Sequence, residues 1–123
     1  MRATQDLIEE ELLRLCQQGH FEAFMLFNEE GVPMAGVELS EHYNKDGIAA
    51  LSALLSRSVE LTEEFNVDAV VDEITLRTVN NFRIVSRSFQ VDAARLILVA
   101  IVPNHRPYRK ITTAAVQKVQ QLF

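Results

Sequence analysis

The sequence has little of what most catalysts and many ligand-binding folds need. Its 123 residues include one cysteine, three histidines, four glycines and three prolines, and no tryptophan. The lone cysteine, Cys16, excludes an internal disulfide. Its place in an apolar helical pattern reads as a buried, inert thiol. Scarce glycine and proline exclude collagen-like or linker-rich designs and leave most of the chain for regular elements. Gly31 and Gly36 are the nearest glycines before a helix, and no Gly-x-x-x-x-Gly-Lys phosphate loop exists. His20, His42 and His105 stand alone at element junctions, without a cysteine or carboxylate at metal-ligand spacing. No Gly-x-Ser-x-Gly elbow and no Cys–His pairing is present. The expectation is a non-enzyme with no catalytic, cofactor-binding or metal-binding residues.

The charge balance excludes more. A formal net charge of −5 removes the general attraction on which nucleic-acid binding relies. Carboxylates cluster at Glu9–Glu11, Glu29–Glu30, Glu60 and Glu63–Glu64, which reads as solvated helix faces and a turn. The longest apolar run, Leu96–Pro103, is too short to insert across a membrane. Acidic residues come too early after Met1 for a signal or transit peptide, so a cytoplasmic location is expected.

What is present describes one domain over residues 1–123. Hydrophobic residues make up 48% of the chain, enough to bury a core without staples. Ile8, Leu12, Leu15 and Cys16 recur at helical spacing and predict a helix over Asp6–Gln18, with Asp6 as cap, Glu9 completing a capping box and Gly19 just past its end. Phe21–Asn28 and Val32–Leu39 read as a hairpin about Glu29-Glu30-Gly31, with Gly31 free to take positive φ and Pro33 marking an edge strand. A polar connection, Ser40–Lys45, leads into a long helix over Asp46–Phe65. The strands Val70–Val79 and Phe82–Val91 are joined by Asn80-Asn81, read as a two-residue turn. That turn sets Val79 opposite Phe82 and Ile74 opposite Arg87. Ile74 and Leu76 then share an apolar face with Val85 and Phe89, and Glu73, Thr75 and Arg77 join Ser86 and Ser88 on the other. Arg95–Val102 hardly alternates and should be a central strand buried on both faces. A last helix runs from Pro107 to Leu122, with Tyr108, Ile111, Ala115, Val119 and Leu122 in one stripe.

The long helix carries two apolar stripes, Ile48, Leu51, Leu55, Val59, Thr62 and Ala50, Leu54, Leu61, Phe65, covering about half its circumference where roughly 100° suffices for one-sided packing. Ser52, Ser56, Arg57, Glu60, Glu63 and Glu64 fill the remainder. Either a third helix of the same chain or a second subunit should cover the excess. Asp72 and Arg87 fall on the apolar face of the later hairpin as diagonal neighbours. They read either as an ion pair at the sheet margin or as contacts for a partner.

Asn28-Glu-Glu-Gly-Val-Pro-Met-Ala35 resembles the acidic-Gly-x-Pro-apolar-Ala hairpin of roadblock domains, the family named for a dynein light chain. Ala49–Leu55 resembles their alanine-rich long helix and Leu96–Val102 their last strand. The resemblance implies an α+β fold: a five-stranded antiparallel sheet, the long helix on one face and the N- and C-terminal helices on the other. It also implies a homodimer made by the long helix and the strand after it. Here those would supply Leu51, Leu54, Leu55, Arg57, Ser58, Leu61, Phe65, Val71, Glu73, Thr75 and Arg77. Members of the family serve as dynein light chains, as scaffolds for small Ras-like GTPases and as bacterial regulators of gliding-type GTPases. The expected function is therefore non-catalytic protein interaction with such a GTPase, with Glu60, Glu64, Asp72 and Arg87 as candidate partner contacts. The alternative is a small-ligand sensor, or a motor or trafficking adaptor, of profilin-like or longin-like shape. A deep apolar pocket with convergent polar groups would favour the sensor.

Overall fold

A computed structural model describes residues 3–40, 44–79 and 81–123. Residues 41–43 of the Ser40–Lys45 connection, His42 among them, and Asn80 lie outside the described residues. The elements are α1 (Thr4–Gly19), β1 (Ala23–Asn28), β2 (Pro33–Glu38), α2 (Lys45–Phe65), β3 (Glu73–Arg77), β4 (Phe82–Val91), β5 (Ala94–Pro103) and α3 (Arg109–Leu122). The five strands form one antiparallel sheet in the order β2-β1-β5-β4-β3. This is the expected α+β architecture, with β5 in the centre and Pro33 on an edge.

Alternation along the strands sends side chains into two cores. Phe24 and Leu26 of β1, Val85 and Phe89 of β4, and Leu96, Leu98 and Ala100 of β5 meet Ile8, Leu12 and Leu15 of α1 and Ala115 and Val119 of α3. Met25, Phe27, Ile97, Val99 and Ile101 point the other way and meet Ile48 of α2. Burying each large side chain of this kind contributes about 1.5–3 kcal/mol.

The helix ends differ from the expectation. Helix α1 begins two residues earlier, behind Ala3, so Asp6 sits in the first turn instead of capping it. Glu9 closes no capping box: its carboxylate accepts the Gly36 N–H at 2.8 Å and ties α1 to β2. At the other end Gly19 stays helical and His20 takes the left-handed conformation, φ 57°. Asn44 caps α2 by accepting the Gly47 N–H.

The register of the β3–β4 hairpin is one residue from the expected one. Glu73 lies opposite Arg87 and Ile74 opposite Ser86. Thr78 is the cause. Its N–H donates to the Phe82 carbonyl, and its hydroxyl accepts the Phe82 N–H, so the hairpin closes on Thr78 and Phe82 across three residues instead of two. Because side chains alternate with a period of two, this slip turns all of β3 over. Ile74 and Leu76 face the α2 side, with Ile84 and Ser86. Glu73, Thr75 and Arg77 face the α1–α3 side, with Arg87 and Val85.

Candidate functional site

The long helix divides its residues differently from the helical-wheel reading. Ile48, Leu55 and Val59 are buried as expected, but so are Ser52 and Ser56, which the wheel assigns to the polar remainder. These small side chains let α2 lie close to the sheet, and the Ser52 hydroxyl returns its hydrogen bond to the Ile48 carbonyl. Leu55 is therefore spent inside the subunit, and Leu51 is half-buried. The second stripe is left uncovered: Leu54 is 66% exposed, Leu61 49% and Phe65 91%. Arg57, Ser58 and Glu64 are exposed beside it. Arg57 is paired with Glu60 at 2.8 Å. Val67, Val70 and Leu76 extend the exposed apolar surface from the end of α2 to β3.

The two sheet edges are unlike. At β2, Pro33 lacks an N–H and the Gly36 N–H is occupied by Glu9. At β3, Asp72 accepts from the Ser88 N–H and Thr78 donates to Phe82, so even-numbered residues bond to β4. Alternation then turns the N–H and C=O groups of Glu73, Thr75 and Arg77 outward. Val71, half-buried, sends its N–H to Glu63 of α2. That bond and the Arg95 guanidinium hold the Glu63 carboxyl below its ordinary value, Arg95 being the larger cause.

Asp72 and Arg87 do form an ion pair, at 3.1 Å. The Arg87 guanidinium is buried and also donates to the hydroxyls of Thr112 and Thr113 on α3. It is a strut between β4 and α3 and presents nothing to a partner, whereas Asp72 is about half exposed and also meets Arg109. Glu73 accepts from the Tyr108 hydroxyl and from Arg109. Sequence reasoning misses this second cluster, because Tyr108 reads there as part of an apolar stripe.

Cys16 is buried against the Phe21 carbonyl, and burial pushes its thiol up to about 12, so it is not a nucleophile at neutral pH. Among the described residues no group of three or more His, Cys, Asp or Glu is placed to hold a metal ion. None of the described helices is long and apolar enough to cross a membrane. A groove of about 850 Å³ follows the β2 edge, lined by Glu9, Met25, Phe27, Pro33 and Asp46 among others, and it is open to solvent.

By sequence the chain matches no protein-family model and no curated protein. By structure it is similar to the gliding protein MglB from Thermus thermophilus, with a TM-score of 0.79 and 12% identity, covering 99% of this chain and 92% of that one. It is also similar to an MglB described in a tetrameric arrangement, with a TM-score of 0.76 and 14% identity over 99% of this chain and 89% of that one. A roadblock/LC7 domain from Streptomyces avermitilis aligns at a TM-score of 0.68 and 12% identity, over 93% of this chain and 92% of that one. Element order, sheet order and these likenesses agree: the chain has the fold of MglB and the roadblock/LC7 domains, which its first hairpin, long helix and last strand resemble.

Proposed function

We propose that this chain is a single, non-catalytic, cytoplasmic interaction domain of roadblock type. It forms a homodimer through α2 and β3 and binds or regulates a small Ras-like GTPase. The observation that carries the reading is the coincidence of an uncovered apolar strip, Leu54, Leu61 and Phe65, with an open strand edge at β3, while at β2 Pro33 lacks an N–H and Glu9 of α1 occupies that of Gly36. Pairing β3 with a copy of itself satisfies the outward backbone groups and covers the strip. The outward residues Glu73, Thr75 and Arg77 are self-complementary when two strands run antiparallel about a two-fold axis at Thr75. Glu73 then lies opposite Arg77 of the copy, twice, and Ile74 lies opposite Leu76.

The GTPase part rests on the roadblock resemblance and on the shape of such a dimer. A continuous sheet flanked by paired helices is a broad, rigid face suited to a protein partner, which typically occupies about 800 Å² per side. Arg57, Glu60 and Glu64 lie beside the exposed strip and supply charge at its rim. Light scattering should give twice the monomer mass at micromolar concentration; a monomer there removes the dimer. A pull-down from the native cell should recover a Ras-like GTPase in at least one nucleotide state, and recovery in neither removes the GTPase reading.

A further inference from the structure

The net charge of −5 conceals a sharp division. Residues 74–123 carry eight Lys and Arg against one carboxylate, Asp92, whereas residues 1–73 carry four against sixteen. The registers place much of the positive charge together. Phe82 pairs with Pro103 and Ala23 with Ile101, so the β3–β4 turn, the β5–α3 loop and the end of α1 lie at one end of the sheet. There, a cleft of about 480 Å³ opens between the end of α1 and the start of α3. It is lined by His20, Arg106, Tyr108, Arg109, Lys110 and Ile111 among others.

Two arginines brace this cleft. Arg83 stacks on the Tyr108 ring, 4.8 Å from its centroid, and donates to the carbonyls of Pro103 and Arg106, which fixes the loop. Arg109 is neutralised by Asp72 and Glu73. The side chains of Arg106 and Lys110, by contrast, have no acidic partner among the described residues. Glu22 and Glu38 belong to the same end of the sheet, but neither lines the cleft.

We propose that this cleft binds a short acidic protein segment that carries an apolar side chain. The carboxylates meet Arg106 and Lys110, and the apolar group rests on Tyr108 and Ile111. A mostly apolar lining in a half-open cleft favours a peptide side chain over a lipid bilayer, whose planar surface does not enter a cleft. The site lies on the face of the sheet away from α2 and meets β3 where Tyr108 and Arg109 hold Glu73.

The test is an NMR titration of the full chain with the peptide acetyl-Asp-Glu-Phe-Glu-Asp-amide and its neutral Asn/Gln counterpart. Shifts should centre on His20, Arg106, Tyr108 and Lys110. The neutral peptide should bind roughly tenfold more weakly or worse. Arg106→Gln with Lys110→Gln should reduce affinity for the acidic peptide by a similar factor, while Lys118→Gln, farther along α3, leaves it unchanged. Equal binding of the two peptides, shifts centred elsewhere, or undiminished binding by the double variant overturns the proposal. So does capture by phosphatidylserine vesicles, lost in the double variant, without peptide binding; that result assigns the cleft to a membrane surface.

Discussion

Arg87 shares a strand face with Val85 and Phe89, and it keeps its charge there because each nitrogen of its guanidinium has a partner. Asp72 takes Nε and Nη2, and the hydroxyls of Thr112 and Thr113 take Nη1. Two substitutions separate the ion pair from its burial. Asp72→Ala strands a buried cation, a penalty of about 2–3 kcal/mol. Arg87→Leu leaves Asp72 half exposed and free to hydrate, and places an apolar side chain in an apolar setting, so about 1 kcal/mol is expected. Urea unfolding should rank them in that order, and the reverse order refutes the strut. Glu63 gives the pH dependence. Its carboxyl is held below the ordinary 4.5 by Arg95 and by the Val71 N–H. A depressed carboxyl stabilises the fold above its unfolded value and loses that contribution as pH falls through the lower folded value. Wild type should therefore exceed Glu63→Gln in stability near neutrality. The gap should close as pH drops from the ordinary glutamate range downward, as followed by thermal unfolding at a series of pH values.

At the scale of elements, Gly31 is the position where the sequence and the backbone agree most directly. Its φ is +85°, and a Cβ there would approach Ala53 Cβ to 2.9 Å and the Ala49 carbonyl to 3.0 Å. Gly31→Ala should cost about 1–3 kcal/mol, from positive φ and from pushing the turn off α2. Calorimetry should show it; a loss below about 0.5 kcal/mol, the range of an ordinary surface change, would mean that the contact is slack. The first hairpin, the central strand and all three helices were legible because each rests on local signals: a turn glycine, an unbroken apolar run, a period near 3.6. The slip in β3 was not, because it depends on the Thr78 hydroxyl taking the place of a backbone partner, a choice made by geometry and not by composition. The sheet-facing serines of α2 were missed for a related reason. Ser52 and Ser56 are polar by type but are buried for their size, which no hydrophobic wheel registers. The apolar strip of Leu54, Leu61 and Phe65 was legible as an excess; only packing showed that Leu55 belongs inside.

At the scale of the whole molecule, the proposed dimer can be broken in two independent ways. Leu54→Asp and Leu61→Asp place carboxylates in the apolar strip and should shift light scattering toward the monomer; if both remain fully dimeric, the strip faces elsewhere. The second route tests the strand register itself. Glu73 is already held by Tyr108 and Arg109, so Arg77 is the cleaner site to change first. In an antiparallel pair centred on Thr75, Arg77→Glu sets two glutamates opposite each other at both ends of the strand pair. Each like-charge pair costs about 0.2–1 kcal/mol, so the two together should lower dimer affinity by roughly two- to thirtyfold. Glu73→Arg should weaken its own dimer in the same way, with an added loss of stability from the Tyr108 and Arg109 bonds. A mixture of the two variants behaves oppositely. One protomer then offers two glutamates and the other two arginines, and both cross-strand pairs regain opposite charge. Native mass spectrometry of the mixture should show the mixed dimer in excess over either homodimer, and the excess should shrink as salt screens the pairs. A statistical distribution would mean that β3 meets a partner in another register or not at all.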